Sequence, residues 1–401
     1  MKNFFLIFLL LIIGCNKSKN NVCTNHTSVE AEQLVKNEIL VVDVKKDYSQ
    51  TNPIYIQDIA KVEYIPLETK KDYICKGYIA FIDDSLIICI NWQGNDILLF
   101  NQEGKALKRI NRKGQSGEEY TSLGGLAVDI KNSELYINDM WRKKIFVYDI
   151  NGNYLRSFSH LGGEQYSNIY NLNERALLCY GGNPNKFYEE KYPFKIISKK
   201  NGELLKDVEI PFTKRIDLTY REKMENGRVM FFVGYTAEPA IEIAKNDMIL
   251  KEVSSDTIYR LSSEDFSITP YMIQTPSIQS MDENEQYLVF VMNTFDYQFM
   301  YTQKREFNKK AMMSGIGFPT TCLIYDKKKK GIFKLNIYNK DVKDESIEFS
   351  NQGKNNQVIY RYQAYELKKF LKKGELSGKL KEIAEKMDEE DNPVLMVITF
   401  K

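Results

Sequence analysis

Histidine, the usual general base and a common zinc ligand, occurs only twice in 401 residues, as His26 and His160. A multi-histidine zinc site is therefore excluded, and a Ser/His/Asp triad would have to be built on His160 alone. His160 follows Ser157-Phe158-Ser159, a strand-like run, where a histidine in a surface loop is the simpler reading. There is no Cys-x-x-Cys pair, no Asp-x-Asp-x-Asp-Gly loop and no Gly-x-x-x-x-Gly-Lys-Ser/Thr loop, so no metal, nucleotide or other cofactor is nominated. Adjacent acids occur at Asp83-Asp84 and Asp388-Glu389-Glu390-Asp391. They read as a strand turn and a solvated helix end, and nothing selects two carboxylates at the ~5–9 Å separation of a glycosidase. No catalytic residue is assigned.

The remaining chemistry is that of binding. Arg112-Lys113-Gly114-Gln115-Ser116-Gly117-Glu118-Glu119-Tyr120 offers two cations, two carboxylates, an aromatic ring and two glycines that admit a ligand to backbone N–H groups. The plainer alternative is that the glycines only turn the chain and the charges are solvated. Trp92 and Trp141, the only tryptophans, lie 49 residues apart after strand-like runs, and Arg142 follows the second. Flat rings beside polar groups suit sugar stacking, and packing between elements is the alternative. The candidate ligand contacts are thus Trp92, Arg112, Lys113, Glu118, Glu119, Tyr120, Trp141 and Arg142. The balance of 56 basic and 54 acidic residues, net +2, argues against a nucleic-acid partner.

The elements that must position these residues follow a repeat. Ile97-Leu98-Leu99-Phe100, Ile145-Phe146-Val147-Tyr148 and Phe194-Lys195-Ile196-Ile197 each lead into a polar turn ending near Gly104, Gly152 or Gly202 and then a second strand. Glycine suits such hairpins because φ is positive there. The glycines are spaced by 48 and 50 residues, the period of a four-stranded propeller blade. Gly125–Asp129 and Glu134–Asp139 supply the two earlier strands of one blade. Later units, Ile258–Leu261 and Cys322–Tyr325, are spaced more widely, which places insertions within 211–235 and 296–318. Length over period gives six or seven blades; a row of β-sandwiches would not repeat so closely.

Near the C-terminus, Tyr362–Lys373 and Lys379–Glu389 show helical periodicity, with Ser377 as N-cap of the second. Val394–Phe400 follows as a strand expected to close the ring on Ile39–Val44 or Val62–Leu67, removing an exposed edge.

Lys2, the ten apolar residues Phe4–Ile13 and then Gly14-Cys15 resemble a bacterial lipoprotein signal. The apolar run is too short to span a bilayer, which takes about 20 residues. Residues 1–15 are therefore expected to be a signal peptide ending at Cys15, the lipidation site, with 16–38 a tether and 39–401 one domain. Five other cysteines remain; Cys89, Cys179 and Cys322 lie in apolar runs and read as buried thiols, while a Cys75–Cys89 disulfide is open in an oxidising compartment.

Four segments, in order, resemble the six-bladed β-propeller lipoproteins of Bacteroidetes, relatives of the NHL-repeat propellers. They are Val62–Thr69, Arg112–Tyr120, Ser255–Tyr259 and Asp391–Leu395. Ser116 departs from the family, which more often has Gly followed by Pro there. The resemblance implies six blades, which with the repeat and the helical periodicity gives an all-β fold of six four-stranded antiparallel blades, the two helices inserted before the closing strand. It also implies an envelope protein anchored by lipid in the outer membrane, on its periplasmic side or at the cell surface. The favoured function is a binding or scaffold module for a glycan, peptide or partner protein. A polysaccharide hydrolase or lyase, or a structural subunit of a membrane complex, is the alternative.

Overall fold

The computed structural model describes residues 39–400 apart from 183–190, 217–218, 224–226, 234–238, 244–246, 281–285, 307, 309, 311–317, 348 and 350–355. The expected signal peptide, Cys15 and the tether lie outside the described residues, as do Cys23 and His26. From Ile39 onward the chain is an all-β ring of six antiparallel blades. Blade 1 comprises Tyr78–Ile82, Ile87–Asn91, Asp96–Phe100 and Ala106–Ile110, and blade 2 comprises Gly125–Asp129, Glu134–Asp139, Lys144–Asp149 and Tyr154–Ser159. Blade 3 is Gln165–Asn171, Ala176–Gly182, Phe194–Ser198 and Leu204–Val208; blade 4 is Ala240–Glu242, Met248–Leu250, Thr257–Leu261 and Ile268–Thr275. Blade 5 is Gln286–Asn293, Tyr297–Lys304, Thr320–Asp326 and Gly331–Lys334.

Gln357–Tyr362, Val394–Phe400 and Ala60–Pro66 pair in blade 6, with Met396 opposite Tyr64, so the Val62–Leu67 region closes the ring. The other segment weighed for this role, Leu40–Asp43, instead adds to blade 4 as a fifth strand, parallel to Met272–Thr275. The helices span Ala364–Lys373 and Gly378–Lys386. Tyr362 belongs to the preceding strand rather than to the helix; the first helix is capped by Gln363, whose backbone N–H is taken by Glu366 in a capping box.

Most central strands are apolar without alternation because both faces of a blade are buried against its neighbours. Ile88 and Ile90 pack with Leu135, Ile137 and Phe146 of blade 2, whereas Ile87 and Cys89 pack with Ile359, Leu395 and Val397 of blade 6. In blade 2 the same alternation sends Tyr136 toward Leu177 and Cys179 of blade 3.

The repeated glycine does more than turn a hairpin. Gly104, Gly152 and Gly202 all have positive φ, from 76° to 80°. Each also sits where a Cβ would strike the end of the previous blade's outer strand: 2.2 Å from the Pro66 carbonyl oxygen, 3.0 Å from Ile110 and 2.5 Å from the Phe158 ring. Cations on the outer strands of blades 1, 2 and 3 likewise reach the next blade. Lys108 donates to Asn151 (3.2 Å), Arg156 to the Lys199 carbonyl (3.0 Å) and Lys206 to the Phe266 carbonyl (2.7 Å). The period therefore encodes a latch between consecutive blades. Lys199 itself forms a buried ion pair with Asp129 of blade 2.

Strand directions give the ring two unlike faces. One carries the turns joining first to second and third to fourth strands, and these are short, such as 83–86, 101–105 and 130–133. The other, here the upper face, carries the second-to-third and blade-to-blade connections. Pro66 abuts Gly104 as Ile110 abuts Gly152, which makes Ala60–Pro66 the outer strand of blade 6 and puts the helical link 363–393 on the upper face too. The long connections 209–239, with its hairpin Thr219–Lys223/Val229–Val233, and 305–319 leave from this face. The insertion expected within 296–318 thus begins only at 305, because Tyr297–Lys304 is a strand.

Candidate ligand site at the mouth of the channel

The first strands of blades 1 to 4 line a channel cavity of about 1260 Å³ that opens on the upper face. Trp92 stands at this mouth, on the tight link between Ile87–Asn91 and Asp96–Phe100. Asn95 closes the link with φ 58° and donates its N–H to the Trp92 carbonyl at 3.2 Å. The indole meets Tyr78 edge-on at 5.3 Å and is still 58% exposed. Trp141 occupies the matching link of blade 2, where Lys143 takes φ 52°. It is 72% exposed on the same face and does not line the cavity.

The loop 112–120 is held down by its own polar groups. Tyr120 is wholly buried; its hydroxyl donates to the Asn95 carbonyl (2.8 Å) and accepts from the Arg112 N–H (3.1 Å), and burial pushes it up to about 12. Glu119 accepts the Ser116 N–H at 3.0 Å, which holds its carboxyl below the usual range. The Arg112 Nε donates to the Gly152 carbonyl at 2.8 Å. Arg142 reaches back from blade 2 to the Glu119 and Ser116 carbonyls at 2.7 and 3.2 Å, and the Tyr148 hydroxyl donates to the Glu118 carbonyl at 2.6 Å. Lys113 and Glu118 keep exposed side chains. Of the eight candidate contacts, only Trp92 lines the cavity.

The other polar groups at the mouth come from the link into blade 1 and from blade 6. Asn91 anchors the link, donating to the Ile74 carbonyl (2.6 Å) and accepting the Lys76 and Gly77 N–H groups (both 2.9 Å). Asn392 accepts the Cys75 N–H at 2.7 Å, and Cys75 is disulfide-bonded to Cys89. This fixes the backbone that carries Lys71, Asp72 and Lys76 to the cavity. Arg109 binds Asp96 at 2.8 Å and Asp72 at 3.8 Å, which raises its affinity for its proton. Arg361, on blade 6, faces Gln363, whose amide oxygen can accept from Nε and Nη2 at 3.2 Å each; its Nη1 is buried with no hydrogen-bond partner among the described residues. Burial lowers the Arg361 pKa. Lys71, Lys76 and Arg361 were not signalled locally in the sequence, because ring closure joins them from opposite ends of the chain.

His160 is not the surface-loop residue its position suggested. It is buried between blades 2 and 3, stacked on Tyr166 at 4.3 Å. The Asn138 amide donates to the Tyr166 carbonyl (2.9 Å), so its oxygen faces His160 Nε2 (2.9 Å) and assigns the proton to that nitrogen; Nδ1 accepts the Tyr166 N–H (3.3 Å). Among the described residues no cluster of three His, Cys, Asp or Glu could hold a metal ion, and no helix is long and apolar enough to cross a membrane.

No curated protein sequence matches the chain. A solved structure of a protein designated as exported, from Bacteroides fragilis NCTC 9343, aligns over 91% of this chain and all of its own at 16% identity, with a TM-score of 0.65, and has the same fold. A DUF4221-family member from Bacteroides vulgatus aligns over 86% of this chain and 97% of its own at 10% identity, with a TM-score of 0.48. The model of DUF4934, described as a domain of unknown function, matches residues 39–399. That span takes in all six blades, and the chain belongs to the DUF4934 family.

Proposed function

We propose that this protein is a ligand-binding propeller of the cell envelope, tethered to a membrane through an acylated Cys15. It takes a glycan, peptide or partner protein at the upper face of the ring. The observation that carries the reading is the open cavity with Trp92 exposed at its rim. Concave sites with a few placed polar groups and an aromatic wall are where ligands bind, and the long connections gather on this face. Trp141, Lys113 and Glu118, exposed on the same face, extend the contact surface for a larger ligand. The lipobox-like Gly14-Cys15 supports residence at the outer membrane, on its periplasmic side or at the cell surface, and the segment likenesses support kinship with NHL-type propellers.

Screening the full chain against immobilised glycans and peptides, beside Trp92→Ala, tests the site. Binding is expected to fall at least about tenfold on loss of the aromatic platform, equivalent to ~1.4 kcal/mol. Unchanged binding by a folded Trp92→Ala protein refutes it. Cys15→Ala is expected to release the protein from the membrane fraction; equal membrane association refutes the anchor.

A further inference from the structure

The uncommitted charges at the mouth carry a sign. Asp96 is engaged by Arg109 and by the Asn111 amide, both at 2.8 Å, and Asp72 also lies within 3.8 Å of Arg109. Glu242, in the channel wall, has a partner within the protein, although its Oε1 is buried without a hydrogen bond among the described residues. Glu366, the acid whose field reaches Arg361, caps the adjacent helix at the Gln363 N–H, 3.0 Å away. The cations are placed differently. Lys71 and Lys76 line the cavity with exposed side chains and form no ion pair among the described residues. Arg361 lines it with a buried Nη1 that nothing among the described residues accepts from.

A guanidinium taken out of water without a counter-ion is costly, and an anion brought into the same low-dielectric space relieves that cost. The fork of donors on arginine matches the paired oxygens of carboxylate and sulfate. Trp92, exposed over the same cavity, supplies a face that stacks on a sugar ring.

We propose that the ligand of this site is an acidic glycan, a saccharide bearing carboxylate or sulfate groups, with a sugar ring on Trp92 and its anion held by Arg361, Lys71 and Lys76. This rests on the reading of the mouth as the ligand site. The polyanion first meets the two exposed lysines, and the group that reaches deepest becomes the counter-ion of Arg361.

Calorimetric titration of the full chain with galacturonate oligomers, sulfated galactose oligomers, neutral galactose oligomers of equal length and a polyglutamate peptide tests this. At least one acidic glycan series is expected to bind at least about tenfold tighter than the neutral one, with an affinity that weakens as salt rises. Arg361→Gln is expected to lower acidic-glycan affinity at least about tenfold and so abolish the preference over the neutral series; an undiminished preference in the folded variant overturns the role of Arg361. The double variant Lys71→Ala/Lys76→Ala, at exposed positions that do not threaten folding, is expected to reduce the preference and its salt dependence. Failure of both acidic series to bind, equal binding of acidic and neutral glycans, or binding of polyglutamate alone overturns the acidic-glycan proposal. If glycans then bind without regard to charge and Trp92→Ala weakens them, the mouth remains the ligand site. If Trp92→Ala changes nothing, that underlying reading fails as well.

Discussion

Acidification should weaken the ring between blades 2 and 3 through one residue, His160. Its imidazole is buried and neutral, with both nitrogens engaged. Burial lowers its pKa from 6.5 to about 4, aided by Lys143 and opposed by the Glu164 carbonyl and Asp139. A second proton would sit on Nδ1, where the Tyr166 N–H already points. Because the folded pKa lies below the unfolded one, the unfolded chain binds the extra proton first as pH falls. Stability from this residue is intact above about pH 6.5 and is lost progressively toward pH 4. At about 1.36 kcal/mol per unit, the full loss is about 3 kcal/mol, of which roughly 2.5 kcal/mol has gone by about pH 4.5. For a domain of this size, at ~2.1 cal/mol/K per residue, that is a shift in Tm of about 3 °C.

Other groups titrate over the same range, so the informative quantity is a double difference. His160→Gln removes the titration, and its packing cost is present at every pH and cancels. Urea unfolding of both proteins at neutral pH and near pH 4.5 should show the wild type losing about 2.5 kcal/mol more than the variant. The ring resonance of His160, identified by its disappearance in the variant, should titrate near 4. Parallel losses of stability in the two proteins, or an NMR pKa near 6.5, would refute the argument.

Three other predictions concern stability. Gly152→Ala places a Cβ at φ 80° and 3.0 Å from Ile110 and should cost about 1–3 kcal/mol in urea unfolding. Gly117→Ala, whose added Cβ would meet nothing within 4 Å, should stay within about 0.5 kcal/mol of wild type. Reducing the Cys75–Cys89 disulfide closes no other bond and frees a 14-residue separation. It should lower stability by about 3 kcal/mol, seen as a reductant-dependent Tm that is absent in Cys75→Ser/Cys89→Ser.

Much of the fold was legible because a blade is a local object. Its strands follow one another, so the apolar runs, the polar turns and the glycines at 48- and 50-residue spacing all lie within short stretches of chain. The C-terminal helices were legible for the same reason, and only their ends differ: the first starts at Ala364 after the strand holding Tyr362, and the second stops at Lys386. The choice between two N-terminal segments for ring closure was not local. Val62 and Val42 both lie in strand-like stretches, and only the assembled ring pairs Val62 with Ile398 and Val42 with Gln274.

The site was less legible. The loop 112–120 is recognisable as a loop with charges, but sequence does not reveal that Arg142 and Tyr148 of the next blade bind its carbonyls. His160 looks polar and exposed until Tyr166 and Asn138 fold over it.

Taken alone, the sequence determined that the chain is a repeated β fold, that histidine-based zinc chemistry is excluded and that a lipobox-like motif precedes the domain. Those are matters of residue type and of spacing within tens of residues. The tertiary structure decided which ends of the strands share a face, that Trp92 and not Tyr120 meets the channel, and that Lys71, Lys76 and Arg361 stand around one cavity. These depend on closing a ring in which residues far apart in sequence become neighbours, and on burial, which turns some polar groups inward to each other and leaves a few without partners.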